Sequence, residues 1–318
     1  MASSLFREVS FEALAGLIRS CLDDELLEAR LLTGGLFNTT YRLTARRSGE
    51  MVLRLGPVNR HLIMPFEHKL MESEAQVYRL LAGQGVAVPQ VMAVDVSKAL
   101  IGRDFMITRY IPGVPLSEAA LSGEDQTGVC RQAGACARRM HGITAPRFGR
   151  VADVCAGKGF ETWAECLESE LFEWESVARP TGMYTPSEHE RIRAAFRSRA
   201  GVLNGITVPR LVHADLWAGN VLVFPQSPAR LAAIIDADRA FFGDSELEFS
   251  LGWTANEGFM AGYGRPLSPE KEARERRALY RLLFALWDGY VYQAEYNMPQ
   301  EMERTRERAR ALLDELAP

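Results

Sequence analysis

The chain lacks the features that would place it in a membrane, in a disulfide-bonded scaffold or on nucleic acid. No run of about 18 apolar residues occurs, so no transmembrane helix is expected. The start, Met1-Ala2-Ser3-Ser4-Leu5-Phe6-Arg7-Glu8, has no basic region leading into an apolar core, which argues against a secretory signal. The 5 cysteines (Cys21, Cys130, Cys136, Cys155 and Cys166) are odd in number and scattered. No C-x-x-C pair is present, so reduced thiols in a cytoplasmic protein are expected, not disulfides or a zinc site. Basic excess is missing too: the formal charge is −4, which argues against a nucleic-acid surface. Repeats and low-complexity segments are likewise absent. With 318 residues, 47% hydrophobic and 25% charged, the chain is long enough for two lobes around a cleft.

Periodicity divides it. Phe11, Leu14, Leu17, Ile18 and Leu22 recur at helical spacing. From Leu31 to Leu43 the pattern reads strand, glycine turn, strand, and Met51–Leu55 is a third strand. A helix is expected over 66–82, with Glu74 on the side of Leu70 and Val77, and two further strands over 91–94 and 105–108. Ile111-Pro112-Gly113-Val114-Pro115 reads as a hinge. Beyond it the sequence is mainly helical: 128–141, 163–177, 186–203, a helix capped by Ser268, and a last helix from Pro299. Apolar β-type runs at 221–224 and 231–235 interrupt these helices. The expectation is an α+β, bilobal fold, with a β-rich lobe over 1–109 and a mainly helical lobe over 110–318.

The chemistry concentrates in Val212-His213-Ala214-Asp215-Leu216-Trp217-Ala218-Gly219-Asn220-Val221 and in Ile234-Ile235-Asp236-Ala237-Asp238. Phosphoryl transfer needs a carboxylate that aligns an attacking hydroxyl, plus oxygen ligands that hold Mg²⁺ against nucleotide phosphates. Asp215 and Asn220 on one loop, with Asp236 delivered by an apolar strand, supply such a set. This His-x-Asp-x-x-x-x-Asn segment followed by Ile-Asp-x-Asp resembles the aminoglycoside phosphotransferase family, related in fold to protein kinases, and its tone is nearest the hygromycin-type branch. The resemblance implies an ATP- and Mg²⁺-dependent small-molecule kinase. It makes Asp215 the catalytic base, Asn220 and Asp236 metal ligands, His213 a loop-orienting residue and Asp238 an auxiliary acid.

Upstream, Gly34, Gly35 and Asn38 resemble the family's loop over the phosphates, although the run is not G-x-G-x-x-G. Glu74 matches the helix glutamate that pairs with a strand-borne cation. That cation is Arg54, where kinases usually carry lysine, and a planar guanidinium sits differently from an ammonium. Arg109 and Ile111 fall in the linker expected to read adenine through its backbone. On the acceptor side, Asp244, Glu248, Glu257 and Asp288 are the candidate acids for a small, cationic partner, with Asp244 also resembling a structural acid of the family.

Ala214 replaces the arginine found in protein kinases switched by phosphorylation, and the stretch between Asp236 and Asp244 is too short for an activation segment. The expected acceptor is therefore a small molecule, an aminoglycoside or related antibiotic first. A metabolic kinase for choline, homoserine or a sugar amine is the alternative, together with a non-catalytic ATP-binding module. The intact Asp215, Asn220 and Asp236 argue against the last.

Overall fold

The computed structural model describes residues 5–32 and 35–317. Helix α1 (Phe11–Leu22) begins at Ser10, whose hydroxyl accepts from the Ala13 N–H, and ends where Asp23 turns left-handed. Strands β1 (Leu26–Leu32), β2 (Thr39–Ala45) and β3 (Gly49–Leu55) form an antiparallel meander. After helix α2 (Leu70–Leu81), strands β4 (Val91–Asp95) and β5 (Phe105–Arg109) complete a five-stranded sheet in the order β1-β2-β3-β5-β4.

Alternation along the strands separates two faces. Leu43, Leu53, Leu55, Phe105 and Ile107 pack with Leu14, Leu17 and Ile18 of α1. Met106 belongs to the opposite side, with Ala75 and Tyr78 of α2. Arg54 lies between Leu53 and Leu55 and pairs in register with Met106, so its side chain is sent toward α2. This alternation places the cation next to Glu74.

The rest of the chain is mainly helical. Its elements are β6 (Val114–Pro115), α3 (Gly123–Met140), β7 (Gly149–Arg150), α4 (Val151–Cys155), α5 (Trp163–Ala178), α6 (Pro186–Arg197) and α7 (Ala200–Asn204). They continue with β8 (Arg210–Val212), β9 (Val221–Phe224), β10 (Arg230–Ile234), β11 (Phe241–Gly243), α8 (Glu257–Tyr263), α9 (Lys271–Tyr290) and α10 (Pro299–Glu315). Fully buried Trp163, Trp174, Tyr280 and Trp287 centre the larger core. The α3–α8 crossing depends on glycine. A Cβ on Gly134 would lie 1.9 Å from the Phe259 carbonyl oxygen, and one on Gly262 1.8 Å from that of Arg131. No helix among the described residues is long and apolar enough to cross a membrane.

This is the α+β architecture expected from the pattern and the kinase-like one that the resemblance implies, with several local departures. Phe11 is 45% exposed and does not join the α1 core. The helix expected over 66–82 is broken: a 3₁₀ turn, Pro65–Lys69, precedes α2, because Lys69 (φ −118°, ψ 9°) leaves helical geometry. Arg199 splits the helix expected over 186–203 in the same way. Ser268 does not cap α9; Glu270 holds that place, and the Ser268 hydroxyl accepts from its N–H. The hinge contains β6, which pairs with β9 and so ties the crossover to the helical lobe.

Candidate active site

Two antiparallel registers bring the chemical residues together. Antiparallel β8 and β11 pair Val212 with Phe241, so the loop leaving β8 lies beside the loop entering β11. Strands β9 and β10 pair Val221 with Ile234, and the Ile235 N–H donates to the Asn220 carbonyl at 3.0 Å. Asp215, Asn220 and Asp236 thus converge from positions spread over 22 residues of sequence.

His213, fully buried, organises the first loop. Its backbone N–H donates to Glu248 Oε2 at 2.9 Å. Ring Nδ1 accepts from the Asp215 N–H at 3.3 Å, which leaves Nε2 to donate to the Ile235 carbonyl at 3.0 Å. The chain can turn from His213 to Asp215 only because Ala214 adopts φ 64°, a left-handed conformation costing about 1 kcal/mol for a residue with a Cβ. Asn220 Nδ2 donates to the Asp215 carbonyl at 2.7 Å and to its Oδ2 at 3.1 Å. That leaves the amide oxygen of Asn220 as a free-standing acceptor group. Burial, reinforced by the charges of Asp236 and Asp288, pushes the Asp215 carboxyl up to about 7, against the pull of Arg239 and Asn220.

Opposite stands Arg54. Its Nη1 pairs with Glu74, and its Nη2 reaches Asp236 Oδ1 at 2.6 Å and Asp238 Oδ2 at 3.6 Å. Burial works against the guanidinium charge, but these carboxylates outweigh it and hold the pKa well above the usual arginine value. Burial likewise drives the Asp238 carboxyl up, and neighbouring Asp236 adds to the shift. Tyr78 locks the arrangement: its hydroxyl donates to Glu74 and accepts from the Asp236 N–H at 3.1 Å. Oxygens of Glu74, Asp236 and Asp238 all lie within 4.8 Å of one another. Together with the Asn220 amide oxygen they are hard donors of the kind Mg²⁺ takes, so these residues fit that ion.

A cavity of about 310 Å³ opens in front of Asp215 and Asp236. Asn38 and Arg54 line it on the sheet side; Trp217, Asp288, Tyr292 and Tyr296 line it on the helical side. A π-helical turn, Val291–Glu295, follows α9, and Asp288, Tyr292 and Tyr296 recur along that side of the chain. Arg239 lines the cavity as well, its nearest acid oxygens on Glu67 at 3.5 Å and Asp288 at 3.7 Å.

Several expected residues lie elsewhere. Of the four acceptor-side acids, Asp288 lines the cavity. Asp244 is buried and accepts from Arg276 Nε and the Tyr280 hydroxyl, both at 2.8 Å, as a structural acid does. Glu248, with no exposed surface, holds the His213 backbone. Glu257 is exposed in the first turn of α8. Gly34 lies outside the described residues. Gly35 is exposed, and among the described residues a Cβ there would meet just the Asn38 carbonyl at 3.7 Å. Asn38 Oδ1 is buried without a partner among the described residues. Arg109 and Ile111 do not line this cavity: Arg109 Nη1 donates to the Ser48 carbonyl, and the Ile111 carbonyl accepts from the Gly113 N–H. Tyr78, Glu67 and Arg239 went unpredicted. Tyr78 sits four residues after Glu74 on one helix face, and Arg239 directly follows Asp238, so spacing did carry a signal for both.

Comparison with known proteins bears on the fold and the family. A protein assigned as a fructosamine-3-kinase from Thermobifida fusca superposes with a TM-score of 0.68 at 18% identity, covering 96% of this chain and 100% of that one. A thermostable mutant of aminoglycoside phosphotransferase APH(4)-Ia, in ternary complex with AMP-PNP and hygromycin B, gives 0.67 at 17% identity over 95% and 98%. Acyl-CoA dehydrogenase family member 10 of Mus musculus is 26% identical over 223 residues, which is 66% of this chain; the chain spans 18% of the length of that relative. The sequence model of the APH phosphotransferase enzyme family matches residues 28–281. The similar structures share this chain's fold, and the chain belongs to the APH phosphotransferase enzyme family.

Proposed function

We propose that this protein transfers the γ-phosphoryl group of ATP to a hydroxyl of a small, cationic molecule, with Asp215 as the base. The observation that carries the reading is the Asp215 carboxylate at the cavity, held by Asn220 and raised to about 7. A base with a pKa near the working pH combines availability with driving force.

In the proposed reaction Asp215 aligns the acceptor hydroxyl and takes its proton. The new O–P bond forms as the bond from the γ-phosphorus to the β,γ-bridging oxygen breaks, and ADP leaves. Arg54, held by Glu74, balances phosphate charge, and Gly35 with Asn38 borders the nucleotide. Asp236, the Asn220 amide oxygen and Asp238 would hold Mg²⁺, which when bound would neutralise charge on the phosphates. Catalysis is mostly positioning and electrostatics. On this reading residues 1–109 carry nucleotide binding and 110–318 carry catalysis and acceptor binding, with the hinge reading adenine through its backbone. ATP and free thiols suit a cytoplasmic setting.

Asp288 with the aromatic walls of Trp217, Tyr292 and Tyr296 suits a cationic acceptor, an aminoglycoside or related antibiotic being the first class to try. A smaller metabolic alcohol, of the choline, homoserine or sugar-amine kind, is the second class to try, one similar structure being assigned as a fructosamine-3-kinase.

The test is ADP release with ATP and Mg²⁺ across both acceptor classes, with the phosphorylated product identified by mass. Turnover with an amine-bearing alcohol, lost in Asp215→Ala, is expected. Turnover unchanged in that variant, or none with any acceptor, overturns the proposal.

A further inference from the structure

The departure at Arg54 has a structural consequence of its own. A lysine ammonium is a single point of charge, whereas the two terminal nitrogens of a guanidinium can serve different partners. Here Nη1 is on Glu74 while Nη2 is on Asp236 and Asp238. Those are the three carboxylates whose oxygens lie within 4.8 Å of one another, a ligand spacing suited to one divalent ion.

We infer that the Arg54 guanidinium acts as an internal counter-ion in the divalent-cation site, so that a metal is admitted together with nucleotide and not before it. This rests on the phosphotransferase reading and deepens it.

The two ends of the guanidinium are held differently. Glu74 is 1% exposed, anchored by Tyr78 and fixed on α2. The Asp236 side chain is 39% exposed and faces the cavity, although its backbone N–H is pinned by the same Tyr78 hydroxyl. Rotation about the Glu74 contact therefore frees Nη2 and Asp236 together without breaking the Glu74–Tyr78 contact on α2. Phosphate oxygens offer Nη2 a replacement acceptor and leave Asp236 and Asp238 to the metal. Without phosphates, a divalent ion must break the pair to Asp236 and crowd a retained positive charge, with nothing to receive the displaced nitrogen.

The experiment is Mn²⁺ binding measured by electron paramagnetic resonance, with and without AMP-PNP, on the full chain. Wild type is expected to bind Mn²⁺ at least tenfold more weakly alone than with AMP-PNP. Arg54→Gln, which removes the internal charge, should bind Mn²⁺ alone at least tenfold more tightly than wild type, and Asp236→Asn added to it should abolish the gain. Arg54→Lys, the milder change, serves if Arg54→Gln does not fold, and should also bind Mn²⁺ alone more tightly than wild type. Equal Mn²⁺ affinity in wild type and the Arg54 variants without nucleotide overturns the inference, as does a gain that survives Asp236→Asn. Failure of phosphoryl transfer to every acceptor would instead count against the proposed function, and the Mn²⁺ result stands apart from it.

Discussion

Replacing Asp215 by asparagine should destroy activity and stabilise the protein. The side chain keeps its shape, and its amide oxygen can still accept from Asn220. What disappears is a carboxylate whose pKa stands at about 7 in the folded chain against 3.8 for the free group. Between those values the native state holds a proton that the unfolded state has released, so this group makes stability fall as pH rises from about 4 to about 7, with no further change above. Three units at about 1.4 kcal/mol each set a ceiling near 4 kcal/mol. Because Asp215 faces the cavity and keeps some solvent, about 2 kcal/mol is the expected gain at pH 8, or roughly 4 °C in Tm. Urea unfolding of both proteins from pH 4.5 to 8.5 measures it. The two curves should meet at the acidic end and separate through neutrality. A variant less stable than wild type at pH 8, or a difference that ignores pH, would refute the reasoning. The same variant should lose about 10³-fold in kcat.

Other consequences follow from the same geometry. In wild type, kcat/KM should rise with pH up to about 7 as Asp215 ionises; a profile flat from pH 5 to 8 contradicts the base assignment. Tyr78→Phe removes the hydroxyl that fixes Glu74 and the Asp236 backbone, and should cost about 1 kcal/mol in unfolding titrations and raise KM for nucleotide. Asp288→Asn should raise KM for a cationic acceptor about tenfold with KM for ATP unchanged; equal effects on both would remove Asp288 from the acceptor site. Gly134→Ala forces a Cβ onto the Phe259 carbonyl and should lower stability by about 3 kcal/mol or more, read as a drop in the urea midpoint.

The parts of the site that were legible in sequence are those set by local periodicity. Alternation around Leu53-Arg54-Leu55 decides which way Arg54 points, and the apolar strands flanking 213–220 and preceding Asp236 fix the two loops. The acceptor side was not legible, because an acid near aromatic residues reads the same whether it faces a cavity or a buried partner. Asp244 is committed to Arg276 and Tyr280, and Glu248 to the His213 backbone; those partners come from elements far along the chain. Helix breaks at Lys69 and Arg199 were hidden for a related reason. Neither residue is a helix breaker by type, and each leaves helical geometry where the chain must turn to pack.

The most direct test of the central claim is single-turnover transfer from γ-labelled ATP to an amine-bearing alcohol, with nucleotide affinity measured on the same samples. Wild type should give one phosphate ester per ADP. Asp215→Ala should bind nucleotide within about threefold of wild type while transferring about 10³-fold more slowly. Transfer at the wild-type rate by that variant, or ADP formed in wild type with phosphate delivered to water alone, would contradict the account.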